Sequence, residues 1–230
     1  MQVVDMAWQS RHVDVLIAIP NSGGEVNFEW AMEFAALRAA APPNTFITSA
    51  PEPQIDTARE KLGEMALNLG AKYIFWLDSD VIAPRDVIHR LMRHKLPIVS
   101  GLYARRYWPT FNEMLLRVKD EKGNEGVVPI GEGTYLKDSL VQCDAVGFGC
   151  VLMETAILKH IDKPWFHWSE HRAVSGNSED FYFCRRAKMS GYKIYCDTSV
   201  VCRHMGPVKI VPGQGLQVEF GAAGTVYSDL

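Results

Sequence analysis

The sequence predicts an α/β fold with a mainly parallel central sheet flanked by helices and a smaller antiparallel portion. The first observation is that apolar, β-branched runs alternate with helical patterns from residue 13 to residue 101. Such alternation is typical of parallel sheets, because each crossover helix packs on a face of the sheet. The second observation is that the alternation stops at Leu102, where short stretches typical of antiparallel hairpins begin.

Length and composition fit a single globular domain. The 230 residues are 47% apolar and 22% charged, with a formal net charge of −3, which is ordinary for such a domain. We expect one domain with two halves, 1–101 and 102–207, followed by a tail or lid, 208–230. No basic block is present, so the sequence offers no obvious stripe for binding a nucleic-acid backbone.

The sequence also favours a soluble, cytoplasmic protein. No apolar run approaches the roughly 18 residues of a membrane-spanning helix, and the first residues lack the pattern of a secretory signal. The five cysteines are odd in number and have no Cys-x-x-Cys spacing. We expect reduced, mostly buried thiols and no zinc site.

In the alternating part, each expected strand is an apolar run that ends at a polar residue, Pro or Gly. These strands are expected at 13–19, 46–48, 73–77 and 97–101. Helices are expected at 25–40, 54–69 and 84–95, because apolar residues recur there near helical spacing.

In the second part we expect hairpins over 103–133, strands at 141–146 and 150–153, and a short helix at 154–161. A longer helix at 178–190 follows, with Ser178 as its cap and two acids in its first turn. Two short strands, 192–196 and 199–203, precede the tail.

The segment that carries the clearest chemistry is Asp78-Ser79-Asp80, directly after a fully apolar strand. Open α/β sheets bind ligands at the carboxyl ends of their strands. Residues two apart in extended chain point to the same side, so both carboxylates can face one cation. Turn and capping preferences explain the same two acids without any ligand, so other residues must decide between the two explanations.

Several other residues have both a structural and a functional explanation. Pro20 and Asn21 open a glycine-rich loop that is either an ordinary turn or a place where backbone approaches a ligand. Arg59 suits either a surface ion pair or a phosphate. Capping alone accounts for Glu179 and Asp180 at the start of a helix.

Glycines and aromatic residues mark two further candidates. Gly147 and Gly149 flank Phe148 beside a strand, which indicates close backbone approach to another strand or to a sugar. The segment 164–171 contains Trp165 and Trp168, which are either core residues or a wall that stacks on a carbohydrate. His167 and His171 lie in the same segment, but no cysteine or carboxylate spacing supports a metal site there.

Taken together, these segments resemble the GT-A fold glycosyltransferases, especially family-2-like enzymes, over roughly residues 13–207. The resemblance rests on the Asp-x-Asp strand end, the run 99–103 with Arg105 or Arg106, the stretch 146–150, the helix that starts with Glu179-Asp180, and a late strand that ends in His204.

The resemblance implies a metal-dependent transfer of one sugar from a nucleotide-diphosphate donor to an acceptor hydroxyl. It implies that Asp78, Asp80 and His204 hold Mn²⁺ or Mg²⁺, with Asp80 and His204 first and Asp78 alternatively on the ribose. Hard oxygens and an imidazole suit Mn²⁺ somewhat better than Mg²⁺. It assigns the catalytic base of an inverting reaction to Asp180, with Glu179 second, although enzymes of this fold with a late His also include retaining ones.

The same resemblance implies a nucleotide-sugar half, 1–101, and an acceptor half, 102–207. The residues it implies for the nucleotide are Pro20, Asn21, Arg59, Asp78, Arg105 and Arg106. Those expected on the acceptor side are Gly147, Phe148, Gly149, Trp165 and Trp168. A glycan, a lipid-linked sugar, a protein and a modified nucleic-acid base all remain open as acceptors.

The sequence departs from the family pattern in two places. The Gln-x-x-Arg-Trp motif of processive synthases is absent, which favours single-sugar transfer. The Asp that contacts the base after the second strand is not obvious, and Glu52 or Asp56 would have to substitute for it.

Three other functions are alternatives. A sugar-phosphate nucleotidyltransferase needs Arg or Lys in its first glycine-rich loop, and residues 21–24 have neither. A haloacid-type phosphatase needs Thr or Val two residues after its second Asp, where this sequence has Ile82, and a nucleophile earlier in the chain than residue 78. A carbohydrate-binding domain that has lost catalysis is the third alternative, and the presence of Asp80, Asp180 and His204 is the argument against it.

Overall fold

The computed structural model describes residues 12–106, 111–119, 125–168, 178–206, 209–211 and 217–219. In the first half, strands β1 (Val15–Pro20), β2 (Thr45–Ala50) and β3 (Tyr73–Leu77) alternate with helices α1 (Phe28–Ala40) and α2 (Ile55–Asn68). The short strand β4 (Val81–Ile82), helix α3 (Val87–Arg93) and strand β5 (Ile98–Leu102) follow. The predicted order of strands and helices is confirmed.

The second half is richer in strands, as the change of pattern at Leu102 predicts. Its first strands are β6 (Met114–Lys119), β7 (Glu125–Pro129), β8 (Leu140–Cys143), β9 (Ala145–Val146) and β10 (Cys150–Glu154). A 3₁₀ helix (Thr155–Lys159) comes next, and helix α4 (Glu179–Met189) follows later. The last strands are β11 (Ile194–Val201), β12 (Arg203–His204), β13 (Lys209–Val211) and β14 (Gln217–Glu219).

The central sheet has seven strands in the order β2-β1-β3-β10-β5-β11-β8. Strands β1, β2 and β3 are mutually parallel, and β5 is parallel to β11. Strand β10 is antiparallel to both of its neighbours, β3 and β5, and the edge strand β8 is antiparallel to β11. The other five strands share one direction, so the mainly parallel sheet that the sequence predicts is confirmed.

Two smaller antiparallel sheets flank the edge at which β3 ends. One has the order β14-β13-β12-β4 and the other β7-β6-β9. The β6–β7 hairpin confirms the hairpin expected between 103 and 133. Strands β13 and β14 pair with each other and join the tail to β12, whereas 212–216 and 220–230 of the expected tail or lid lie outside the described residues.

Several local predictions differ from the structure. The strand expected at 141–146 is two strands, β8 and β9, which belong to different sheets, and α3 begins at Val87 and not at 84. The two strands expected at 192–196 and 199–203 are one long strand, β11, with a register shift between Asp197 and Val201. The helix expected at 154–161 is a shorter 3₁₀ helix. Helix α1 begins three residues later than expected, because Asn27 caps it by accepting a hydrogen bond from the Glu29 N–H.

The core lies on both faces of the central sheet. Trp76, Phe148, Phe166 and Phe183 pack together on one face, with ring centroids 4.9 to 6.0 Å apart. The five cysteines are free and buried, as the sequence predicts. None of the helices in the described part of the chain has the length and apolar character needed to cross a bilayer.

Candidate functional site

Asp78 and Asp80 lie at the carboxyl end of β3, in a turn whose backbone is fixed from three sides. The Asp78 N–H donates to the Gly149 carbonyl at 3.1 Å, and the Val81 N–H donates to the Asp78 carbonyl at 3.1 Å. The indole N–H of Trp30, from α1, donates to the carbonyls of Asp78 and Val81 at 3.1 and 2.9 Å. The position of both acids therefore depends on strand β10 and on helix α1.

The side chain of His204 faces Asp80. Strand β12 pairs with β4, and His204 Nε2 lies 3.4 Å from Asp80 Oδ2. The other ring nitrogen, Nδ1, is 2.9 Å from the Ala104 carbonyl, which can only accept, so Nδ1 carries a proton. In the neutral ring, the Nε2 lone pair then points toward the carboxylate.

The electrostatics of this pair follow from partial burial and mutual contact. Burial works to raise the pKa of Asp80, but the His204 ring and the Arg106 charge outweigh it, so this pKa lies below its usual value. Burial works to lower the pKa of His204, and the Asp80 carboxylate outweighs it, so this pKa is raised. Arg106 Nη1 forms an ion pair with the same Asp80 oxygen, Oδ2.

Asp78 does not join this pair. Its carboxylate accepts hydrogen bonds from Arg59 Nη2 at 3.0 and 3.3 Å. The described residues contain no group of three or more His, Cys, Asp and Glu side chains placed to hold a metal. The structure thus brings together Asp80 and His204, two of the three predicted ligands. The third, Asp78, instead bonds the buried side chain of Arg59.

Arg59 is not on the surface, as the ion-pair explanation would require, and does not line an open nucleotide site. Its side chain is 1% exposed and lies between the rings of Trp76 and Phe148. Its Nε donates to Glu179 Oε1 at 3.1 Å. Burial works to lower the pKa of Arg59, but the charges of Asp78 and Glu179 outweigh it and raise this pKa. The prediction that Arg59 contacts the nucleotide is therefore wrong.

Glu179 is 3% exposed and hydrogen-bonded to Arg59, so it is not placed to take a proton from a substrate. Asp180, the next residue, is only partly buried. Its Oδ1 accepts hydrogen bonds from the Ser178 hydroxyl and from the Phe181 N–H at 2.8 Å. Ser178 occupies the cap position of α4, yet its hydroxyl bonds Asp180 and no backbone N–H.

Burial is the main reason that the pKa of Asp180 is raised, to about 6. The charge of Glu113 adds to this increase, while the Ser178 hydroxyl and the Arg59 charge oppose it. A carboxylate with a pKa just below neutrality is suited to proton transfer near pH 7.

Sequence reasoning missed two residues of this site, Tyr103 and Glu113. Burial raises the pKa of Glu113 to about 7, with His204 and Arg105 acting in the opposite direction and Glu179 in the same direction. The Glu113 N–H donates to the Tyr103 carbonyl at 2.9 Å, and its carbonyl accepts from the Gly147 N–H at 3.1 Å. A lone acid before an apolar strand has no sequence signature, so only the pairing of these segments identifies it.

Tyr103 also explains the two glycines around Phe148. A Cβ atom at Gly147 would lie 2.1 Å from the Tyr103 hydroxyl oxygen, and one at Gly149 would lie 2.8 Å from a methyl of Val81. The Gly149 N–H donates to the Tyr103 hydroxyl at 3.0 Å. The partner of the predicted close approach is therefore a tyrosine side chain.

Two of the predicted acceptor residues are buried. Phe148 is 0% exposed in the aromatic core, and Trp165 is 4% exposed with its indole N–H bonded to the Ile161 carbonyl. Neither ring has a free face for a sugar, so their assignment to an acceptor wall is wrong. Trp168 is 39% exposed, and its backbone N–H donates to Asp56. His171, the second histidine of this segment, lies outside the described residues.

The remaining predicted residues lie on two loops. Pro20 ends β1, and the Asn21 side chain organises the loop after it by accepting hydrogen bonds from the N–H groups of Gly23 and Gly24 at 3.2 and 3.0 Å. Asn21 is thus a loop-forming residue in this structure. Arg105 stacks on Phe111, with its guanidinium carbon 5.4 Å from the ring centroid.

A divalent cation fits the chemistry of the Asp80 and His204 pair. A hard carboxylate oxygen and an imidazole nitrogen suit Mn²⁺ or Mg²⁺, and phosphate oxygens and waters commonly complete such a shell. Metal-binding histidines usually donate their other N–H to a carbonyl or carboxylate, and His204 does so to Ala104.

The chain resembles a number of solved structures, two of which are A197 from STIV and GalNAc-T7. The crystal structure of A197 from STIV matches with a TM-score of 0.60 at 16% sequence identity, covering 94% of this chain and 99% of A197. The crystal structure of GalNAc-T7 with UDP, GalNAc and Mn²⁺ matches with a TM-score of 0.50 at 10% identity. That match covers 84% of this chain but 44% of GalNAc-T7.

No protein-family model matches the chain, and no curated protein matches its sequence. Sequence identities this low carry information about the fold alone. The seven-stranded sheet, the inserted antiparallel strand β10 and the small antiparallel sheets agree with the fold that the sequence resemblance implied. The chain therefore has a GT-A-like fold.

Proposed function

We propose that the chain is a glycosyltransferase that moves one sugar from a nucleoside-diphosphate donor to an acceptor hydroxyl. The observation that carries this proposal is that Asp80 faces His204 after β3 of a GT-A-like sheet, while Arg59 bonds Asp78 and Glu179, which lie next to Asp80 and Asp180 in the chain. The fold shared with GalNAc-T7, whose crystal structure contains UDP, GalNAc and Mn²⁺, supports the choice of donor class.

On the donor side, Asp80 and His204 would hold Mn²⁺ or Mg²⁺ beside the diphosphate. The cation would supply positive charge for the departing diphosphate. Arg106 forms an ion pair with Asp80, and Arg105 precedes Arg106 in the chain. Both arginines would bind the phosphates of the donor. The loop at Pro20 and Asn21 would border the nucleotide, and Asp78, held by Arg59, would contact the ribose.

On the acceptor side, Asp180 would act as the base. Its carboxylate takes the proton of the acceptor hydroxyl while that oxygen attacks the anomeric carbon, and the bond from this carbon to the diphosphate breaks. This direct displacement inverts the anomeric configuration. Trp168, which is partly exposed, would border the acceptor, while Gly147 and Gly149, buried against Tyr103, would shape the wall behind it. We propose the corresponding division into a donor half, 1–101, and an acceptor half, 102–207.

A thermal-shift panel tests the donor site. Mn²⁺ and UDP or GDP together should raise the melting temperature more than either does alone, because both bind the native state. A panel of nucleotide sugars with and without Mn²⁺ then identifies the base and the sugar. If neither nucleotide shifts the melting temperature, with or without Mn²⁺, the chain does not use these donors and the proposal fails.

An Asp180→Asn variant tests the base. Donor binding should be retained, while sugar transfer should fall by about 10²- to 10⁴-fold, the usual contribution of a general base. Asp162→Asn is the matched control, because the Asp162 hydrogen bond to Arg186 uses its backbone carbonyl and not its carboxylate. Transfer at the wild-type rate by Asp180→Asn would remove Asp180 from the mechanism.

A further inference from the structure

The guanidinium of Arg59 is a buried charge that none of the proposed steps uses. It is 1% exposed, and it bonds two carboxylates from different parts of the chain. One is Asp78, at the end of β3, and the other is Glu179, the first residue of α4. Its Nη1 has no hydrogen-bond partner among the described residues.

Stability alone is a poor explanation for such a cluster. Burying three charged groups costs solvation, and apolar residues of similar volume often stabilise a protein as well or better. Ion pairs do, however, fix directions. The planar guanidinium donates from Nε to Glu179 and from Nη2 to Asp78, so the two carboxylates are held in a geometry that a lysine ammonium does not impose.

Each of these two carboxylates lies close in the chain to a residue of the candidate site. Asp78 is two residues from Asp80 in the same turn, and Glu179 precedes Asp180 at the start of α4. Arg59 packs between Trp76 of β3 and Phe148, with its guanidinium carbon 5.8 and 5.7 Å from their ring centroids. It therefore has little freedom to follow either carboxylate if one of them moves.

We infer that Arg59 is a positioning residue that fixes the start of helix α4, with its base Asp180, relative to the donor-side turn at Asp78. This inference deepens the proposed function and rests on it. Arg59 acts through Asp78 and Glu179 and does not touch the substrates. Misplacement of reacting groups by about 1 Å can cost 10²-fold in rate. The ion pairs of Arg59 with Asp78 and Glu179 would therefore affect the reaction rate although none of these bonds involves a substrate.

The kinetic test compares Arg59→Lys, Arg59→Met and the double variant Arg59→Met with Glu179→Met. The double variant removes the Glu179 carboxylate, which would otherwise stay buried without its arginine. Its melting temperature should therefore lie between those of Arg59→Met and the wild type. All three variants should lose about 10- to 100-fold in kcat. In Arg59→Met the acid limb of kcat should also move to higher pH, because the Arg59 charge lowers the pKa of Asp180; Arg59→Lys keeps a positive charge and should show a smaller shift.

Arg90→Met is the matched control. Arg90 donates from Nη2 to the carbonyl and hydroxyl of Ser199, at 2.6 and 2.8 Å, and ties α3 to β11. Its replacement should lower the melting temperature while leaving kcat and the pH profile unchanged. A folded double variant with the kcat of the wild type would overturn the inference.

A second test does not depend on the proposed function. The second test is a double-mutant cycle in ligand-free protein with Asp78→Asn and Glu179→Gln. The effect of both changes together on the unfolding equilibrium constant should differ severalfold from the product of their separate effects, because both carboxylates bond one guanidinium. In the Arg59→Met background the deviation from a simple product should be several times smaller, because only the direct effect of one carboxylate on the other remains. Coupling of the same size without Arg59, or no coupling with it, contradicts the inference. Absence of nucleotide binding in the wild type contradicts only the proposed function.

Discussion

Asp80 and His204 face each other across the paired strands β4 and β12, with Oδ2 and Nε2 3.4 Å apart. If this pair holds the cation, Asp80→Asn and His204→Gln should each weaken Mn²⁺ binding at least about tenfold. Titration calorimetry measures the affinity, and the joint thermal shift by Mn²⁺ and UDP should disappear. His89→Gln is the control, because His89 is exposed and its ring bonds the Ala40 carbonyl, away from Asp80. Unchanged Mn²⁺ affinity in both variants would show that the cation binds elsewhere.

Arg106 occupies the Asp80 oxygen that also faces His204. A guanidinium and a divalent cation compete for one carboxylate oxygen, since both are positive. Arg106→Ala should therefore strengthen the binding of Mn²⁺ alone and weaken the binding of UDP in the presence of Mn²⁺. Calorimetric titrations with and without UDP separate the two effects. Weaker binding of Mn²⁺ alone would mean that Arg106 supports the cation site and does not compete with it.

Gly147 is the position most sensitive to a small substitution. The new methyl group of Gly147→Ala would overlap the Tyr103 hydroxyl, so we expect a loss of about 1 to 3 kcal/mol in the free energy of unfolding. Gly126→Ala, whose Cβ meets no atom within 4 Å, is the control. Adding Tyr103→Phe should recover part of the loss. It should recover only part, because the Gly149 N–H then loses its acceptor. Urea denaturation measures all four proteins, and equal losses at Gly126 and Gly147 would refute the steric explanation.

The raised pKa of Glu113 predicts that the free energy of unfolding depends on pH. Burial raises its pKa to about 7 from an ordinary value of 4.5, so the folded protein binds this proton more tightly than the unfolded chain. The resulting stability is present below pH 4.5 and is lost as pH rises through 7. Glu113→Gln should remove a decline on the order of 1 to 3 kcal/mol from the wild-type curve.

Urea denaturation at several pH values from 4 to about 8 tests this prediction. The Glu113→Gln variant should be more stable than the wild type at the alkaline end and should show a shallower slope. Glu25→Gln, at an exposed loop position, should reproduce the wild-type curve. Parallel curves for Glu113→Gln and wild type would show that Glu113 titrates normally.

Local pattern was enough to predict the order of strands and helices, because apolar periodicity and Pro or Gly boundaries act within a few residues. The place of β10 between β3 and β5 depends on pairing between distant segments, which periodicity does not encode. The aromatic residues Phe148 and Trp165 were misassigned for a related reason. An aromatic residue near Gly or Pro has the same local pattern whether its ring faces the core or a ligand.

The candidate site was predicted in part. Asp80, Asp180 and His204 lie at a strand end, at a helix start and in a late strand, which local signals locate, whereas their roles came from the family resemblance. The burial of Arg59 has no such signal, because its partners lie 19 and 120 residues away in sequence. Glu113 and Tyr103 enter the site through the pairing of two irregular segments. Glu113 belongs to no motif, and Tyr103 ends the run 99–103 on which the resemblance rests but had no role assigned to it.

The pairing of β4 with β12 has a consequence for the chain as a whole. The Met205 N–H donates to the Asp80 carbonyl at 2.7 Å, and His204 pairs with Val81, so backbone geometry fixes the spacing of Asp80 and His204. A cation bound by both side chains would be a reversible cross-link between β12 and the turn after β3. Such a cross-link closes a long loop of the unfolded chain. A chelator would then weaken the attachment of the final strands to this turn and leave the seven-stranded sheet in place.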